Sequence, residues 1–202
     1  MRTQISLLLI ACFCSLTCLA QNEFDKYFTT KSLRIDFALS GNTQFQAAAI
    51  QQLREEPVWG GPVKNRIDKF NYGGYYINIY DKSTNELIYS RGFNTLFEEW
   101  RTTEQAKTEI QSWTNSISVP YPKTTVVVEI TARDKADMQF HPLLKMDIDP
   151  TSIFIDRGKL KENKVTQIQY EGNPNEKVDL VFIAEGYTAD DQDKFVADAK
   201  KF

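Results

Sequence analysis

The chain has 202 residues, with 24 Lys and Arg against 27 Asp and Glu, for a formal net charge of −3. This mildly acidic balance, with no basic run, argues against nucleic acid or an anionic membrane surface as a partner. The 3 cysteines, Cys12, Cys14 and Cys18, all precede Ala20, so the rest of the chain has no disulfide and no thiolate to act as nucleophile or metal ligand.

Residues 1–20 read as a signal peptide. Arg2 gives the positive start, Ile5 to Phe13 the apolar run, and Cys18 and Ala20 the small residues before a cut near Ala20. The run is too short for a comfortable membrane span, so a secreted, periplasmic or cell-surface protein is expected. Cys14 and Cys18 raise lipidation as an alternative, but Ala11-Cys12-Phe13 and Ser15-Leu16-Thr17 match the Leu-small-small pattern poorly. Loss of Arg2 takes the formal charge from −3 to −4. A remaining chain of roughly 180 residues can bury about 70% of its unfolded surface, enough for stability without disulfides.

Residues 21–32 show no clear period and read as a lead-in. Leu33, Ile35, Phe37 and Leu39 alternate with Arg34, Asp36 and Ala38 up to a turn at Ser40-Gly41-Asn42, which predicts a half-buried strand. Ala47 to Leu53 fits helix or strand, and the quick punctuation by Pro57 and Trp59-Gly60-Gly61-Pro62 favours strand. Tyr75 to Tyr80 and Glu86 to Phe93 predict a hairpin around Asp81 to Asn85. Thr95 to Ala106 has short helical character. Extended pieces follow at Ile117 to Pro122, Thr124 to Thr131, Met146 to Pro150, Ile153 to Asp156 and Val165 to Tyr170. Many short strands with almost no long helix predict a mainly β protein, a β-sandwich over residues 33–170.

Residues 171–177 are a polar, turn-rich linker. Val178 to Ala184 is then nearly continuous apolar sequence, as in a strand covered on both faces. Thr188 and Asp191 resemble a capping box, and Phe195, Ala199 and Phe202 share one helical face. The period changes from two to strand-turn-helix, so residues 178–202 are expected to open a separate α/β domain.

Few side chains suggest chemistry. His141 is the only histidine, so the chain can form neither an H-E-x-x-H zinc site nor a Cys-His pair, and a structural or surface imidazole is expected. Asp134, Asp137, Asp147, Asp149 and Asp156 could offer oxygens to calcium, which needs six to eight of them converging; Asp147 and Asp149 read instead as the exposed face of a strand. Glu98 and Glu99 are adjacent on a helix and do not face each other, so they read as a solvated face. Neither a catalytic residue nor a metal ligand or cofactor site is expected. Aromatics are abundant, and Trp59, Tyr76, Tyr80 and Trp100 form a candidate binding surface for glycan or protein, with core packing as the competing account. Glu185-Gly186-Tyr187 follows an apolar run but has a single glycine, too few for a dinucleotide or phosphate loop.

The stretches "LRIDFALSGN" (33–42), "LREEPVWGGP" (53–62), "GGYYINIYDKSTNELIYSRGFNTLFEEWRTTEQAK" (73–107) and "SVPYPKTTVVVEI" (118–130) resemble the N-terminal domain of the IgA-peptidase-type zinc metallopeptidases of bacteria. Asn94 stands where that pattern has Ser. "VDLVFIAEGYTADDQDKFVADAKKF" (178–202) resembles the start of the family's catalytic domain. The resemblance implies a non-catalytic accessory domain that packs beside its own downstream peptidase domain. Zinc would be held there by an H-E-x-x-H helix that this sequence lacks, so no catalytic residue carries over. The competing expectation is a stand-alone secreted module that binds glycan or protein through its aromatics.

Overall fold

A computed structural model describes residues 23–159, 163–174 and 176–201; the expected signal peptide, residues 1–20, and Phe202 lie outside them. The chain divides into two compact units. One comprises Val63–Arg157 and the described residues up to Trp59; the other comprises Gly60–Pro62 and the described residues from Gly158 onward.

The first unit is a β-sandwich. It contains α1 (Glu23–Tyr27), β1 (Phe28–Gly41), β2 (Gln46–Glu56), β3 (Tyr75–Asp81), β4 (Leu87–Phe93), α2 (Leu96–Trp100), a 3-10 turn (Gln105–Lys107), β5 (Gln111–Pro122), β6 (Val126–Arg133), β7 (Phe140–Ile148) and β8 (Ile155–Asp156). One sheet has the order β5-β1-β2-β8 and the other β4-β3-β6-β7. Every pairing is antiparallel except the short β2–β8 contact, which the Arg54–Asp156 ion pair accompanies.

Alternation explains which faces meet. In β1, Leu33, Ile35, Phe37 and Leu39 are fully buried on one face. Opposite them, Ile77 and Ile79 of β3 register with Ile130 and Val128 of β6 and are equally buried. An aromatic contact joins the sheets, with the Phe37 and Phe93 rings edge to face at 6.0 Å, and within the second sheet Phe93 stacks on its register partner Tyr75 at 5.5 Å. The β3–β4 hairpin turns where Asp81 Oδ1 accepts the backbone N–H groups of Ser83 and Thr84 (3.1 and 2.9 Å) and Asn85 takes φ 58°. Ala47 to Leu53 is strand, as its punctuation implied.

Three expectations change. From Glu23 on, the lead-in has regular structure: α1 is a single turn, too short to show a period, that buries Phe24 and Tyr27 and runs directly into β1, where Phe28 is buried. Val165 to Tyr170 forms no strand; Val165 and Tyr170 are exposed and the residues between them are mostly polar, leaving no apolar face to fix a register. Val178 to Ala184 is not a covered strand either: Val178, Leu180, Val181 and Ile183 are 80–88% exposed, and a strand forms only where a neighbouring strand completes its hydrogen bonds.

In the second unit a 3-10 turn (Ala189–Asp191) leads into α3 (Gln192–Ala199). Thr188 and Asp191 form the capping box in both directions, with the Asp191 carboxylate accepting the Thr188 backbone N–H at 3.0 Å. Phe195 packs on Tyr187 at 5.1 Å and Ala199 is buried.

Candidate functional site

At one end of the sandwich the β1–β2 loop, α2, the start of β3 and the β6–β7 hairpin enclose a cavity of about 350 Å³. Each element has a local cause. Gly41, at φ 149°, lets the chain fold back so that Asn42 N–H reaches Phe45 O at 3.0 Å; a methyl at position 41 would lie 2.2 Å from that oxygen. Thr95 caps α2 by accepting the Glu98 backbone N–H at 3.2 Å. Arg101, just past that helix, donates Nε to Asn42 O (2.7 Å) and Nη2 to Thr43 O (3.5 Å), tying the loop to the helix. Arg133, at the end of β6, donates to the carbonyls of Asn71, Gly73 and Met138 (2.7, 3.2 and 3.0 Å) and lies 4.2 Å from the Phe140 ring centroid.

The cavity wall combines Phe45, Ala132 and Leu143 with Tyr75, Glu98, Asp134 and His141. Tyr75 donates its hydroxyl to Gln46 Oε1 at 2.8 Å. Burial, and after it the Glu98 charge, pushes the Tyr75 phenol up from its ordinary range, so it is a neutral donor at neutral pH. Glu98 lies directly over Gly74: a methyl there would sit 2.0 Å from Oε2. Glu98 is therefore half-buried in the cavity, not part of a solvated face, whereas Glu99 is exposed. Adjacent helical positions point about 100° apart, so one of the pair turns inward and the other outward.

His141 and Asp137 are in contact (Nε2 to Oδ2, 2.8 Å), and Asp134, Asp137 and His141 bring ligand atoms within 4.8 Å of one another on the exposed β6–β7 turn. Asp147, Asp149 and Asp156 are elsewhere: Asp147 pairs with Lys82, Asp149 caps Thr151, and Asp156 pairs with Arg54. A catalytic zinc site of the H-E-x-x-H type does not fit these residues, because the chain has one imidazole.

The four aromatics put forward as a binding surface do not form one. Trp59 is 5% exposed, edge to face with Tyr89 at 5.9 Å, and Trp100 is 8% exposed, stacked on Phe97 at 5.8 Å. Tyr76 is buried against Phe140 at 4.8 Å. Only Tyr80 is half-exposed, and its hydroxyl bonds Glu129 Oε2 at 3.2 Å. Burying such large apolar areas outweighs exposing them on a domain of this size. Other rings are exposed, among them Phe154, Phe70 and Tyr72, the last two stacked at 5.9 Å and 14°, and Phe45 at the cavity mouth.

The fold is a two-sheet sandwich with a cavity of mixed polar and apolar wall at one end. The family model described as "Peptidase M64 N-terminus" matches residues 23–143, more than half of the chain, and the chain belongs to that family. The chain matches no curated protein sequence. Among the described residues no helix is long and apolar enough to cross a membrane.

Proposed function

We propose that this chain is the non-catalytic N-terminal accessory domain of a secreted zinc endopeptidase of the IgA-peptidase type. In this reading residues 33–170 form the accessory domain, residues 171–177 link it onward, and residues 178–202 open the catalytic domain. The observation that carries the reading is the family match over residues 23–143, which spans α1 through the first part of β7 and so takes in strands of both sheets. The exposed apolar run Val178 to Ile183 supports it, because such a run is stabilised by adding to a sheet. Peptide hydrolysis and the zinc that supplies it belong to the catalytic domain, and its partners are that domain and the protein substrate. Burial of Trp59, Tyr76 and Trp100 removes most of the surface on which a stand-alone glycan-binding module depends.

The test is direct. The purified chain, supplied with zinc, is expected to cleave no protein substrate and to retain no stoichiometric zinc after dialysis. Proteolysis that a chelator abolishes would overturn the reading.

A further inference from the structure

The cavity has a wall suited to one kind of ligand. Glu98 presents both carboxylate oxygens over Gly74, and neither takes part in a hydrogen bond or ion pair among the described residues. A half-buried carboxylate that makes no hydrogen bond to protein has acceptor capacity left for a cation that donates to it. Three cationic side chains line the cavity, and none is paired with Glu98: Lys135, on the exposed β6–β7 turn, makes no ion pair with it among the described residues. Arg101 is held by Asn42 O and Thr43 O, and Arg133 by the carbonyls of Asn71, Gly73 and Met138. Phe45, Ala132 and Leu143 supply apolar surface on the same wall, the surface that a chain of methylenes covers while its charged end reaches a polar group.

We propose that this cavity holds a basic side chain, lysine or arginine, of a bound polypeptide, with its methylenes against Phe45 and Leu143 and its cationic head on Glu98. Tyr75 and Gly74 are positioning residues: Gly74 leaves room for the carboxylate, and the Tyr75 hydroxyl, directed to Gln46, fixes the floor. That the polypeptide is a peptidase substrate rests on the accessory role proposed above; the side-chain preference does not. The Glu98 charge helps hold the Tyr75 phenol high, so a cation seated on Glu98 lowers it, which gives a readout independent of affinity.

The experiment titrates the purified chain with Nα-acetyl-lysine amide, Nα-acetyl-arginine amide, Nα-acetyl-norleucine amide and Nα-acetyl-glutamate amide, followed by calorimetry and by tyrosinate absorbance. The expected result is binding of the two basic amides about tenfold tighter than of the norleucine amide at neutral pH, with the Tyr75 titration moving to lower pH under the arginine amide, which keeps its charge where a raised phenol ionises. Glu98→Gln is expected to lose that advantage at unchanged Tm, and Gly74→Ala, which displaces the carboxylate by its new methyl, to lose it as well. Equal binding of norleucine, preference for the acidic amide, or full lysine binding by Glu98→Gln would overturn the proposal. Basic-side-chain binding without any effect of this domain on cleavage of lysine-rich proteins by its peptidase would refute the accessory role and leave the pocket standing.

Discussion

Arg66 donates Nη1 to the main-chain carbonyl of Ile88 at 2.7 Å, near the start of edge strand β4. Its Nη2 meets Glu23 Oε2 of α1 at 2.7 Å, while its own carbonyl accepts Ser90 N–H at 2.9 Å. One buried guanidinium thus closes the β4 edge and fastens the N-terminal helix. Arg66→Met leaves a buried carbonyl unpaired and is expected to cost about 1–3 kcal/mol. Glu23→Gln should cost under about 1 kcal/mol, because that carboxylate is 81% exposed. Urea denaturation of both variants checks the contrast, and equal losses would contradict it.

Trp59 and Trp100 separate the two accounts of the aromatics. As core residues, their replacement by Ala should cost about 3–5 kcal/mol each, with a lower Tm and a red-shifted emission. If they formed a glycan surface, the same changes would abolish glycan binding and spare stability.

The strands were legible because residues alternate in β1 and β3 and because β6 is rich in β-branched Val and Thr, and the β3–β4 turn because Asp81 to Asn85 offers the side chains such a turn uses. The site was not. Phe45, Glu98 and His141 are far apart in sequence, and only the packing of one sheet's loop against the other's end brings them to one cavity. Trp59 and Trp100 misled for a related reason: each sits beside glycines or charged residues that read as surface, yet each ring turns into the core. A pattern shows which residues share a face of an element, but not which element lies over that face.

Stability should fall at both ends of the pH range. Hydrogen bonds from Ser83 and Thr84 hold the Asp81 carboxyl below its usual range; at Asp68, burial pushes the other way, but the Gly92 and Phe70 N–H groups prevail. In acid the unfolded chain binds protons first. The contribution of these groups is therefore present above about pH 4 and is lost as pH falls through their folded values. Burial raises the Tyr75 and Tyr89 phenols, so the unfolded chain ionises first in base, and their contribution, present below about pH 10, is lost as pH rises toward their folded values. Denaturant midpoints across pH check both limbs. Asp81→Asn should flatten the acid limb, and Tyr75→Phe the alkaline one.

Gly41 permits the loop that carries Phe45 to the cavity mouth. Gly41→Ala combines an unfavourable φ with a methyl 2.2 Å from Phe45 O; a cost of about 2 kcal/mol or more is expected. Because the loop also receives Arg101, the change should disturb α2 more than the distant β3–β4 turn. Chemical shifts confined to residues around Asn42, Phe45 and Arg101 would match this, and an unchanged Tm would not.

Val178, Leu180, Val181 and Ile183 expose more apolar surface than any comparable run in the sandwich, and the segment holds no strand pairing. Ile77 and Ile79 lie between two strands that complete their hydrogen bonds. Amides of 178–183 should therefore exchange with little protection, whereas those of Ile77 and Ile79 should open only on global unfolding. If the segment is a strand awaiting a sheet, supplying the catalytic domain should raise its protection toward that of β3 while leaving β3 unchanged. Equal protection of the two segments in the isolated chain would show that residues 178–183 already have a sheet to join.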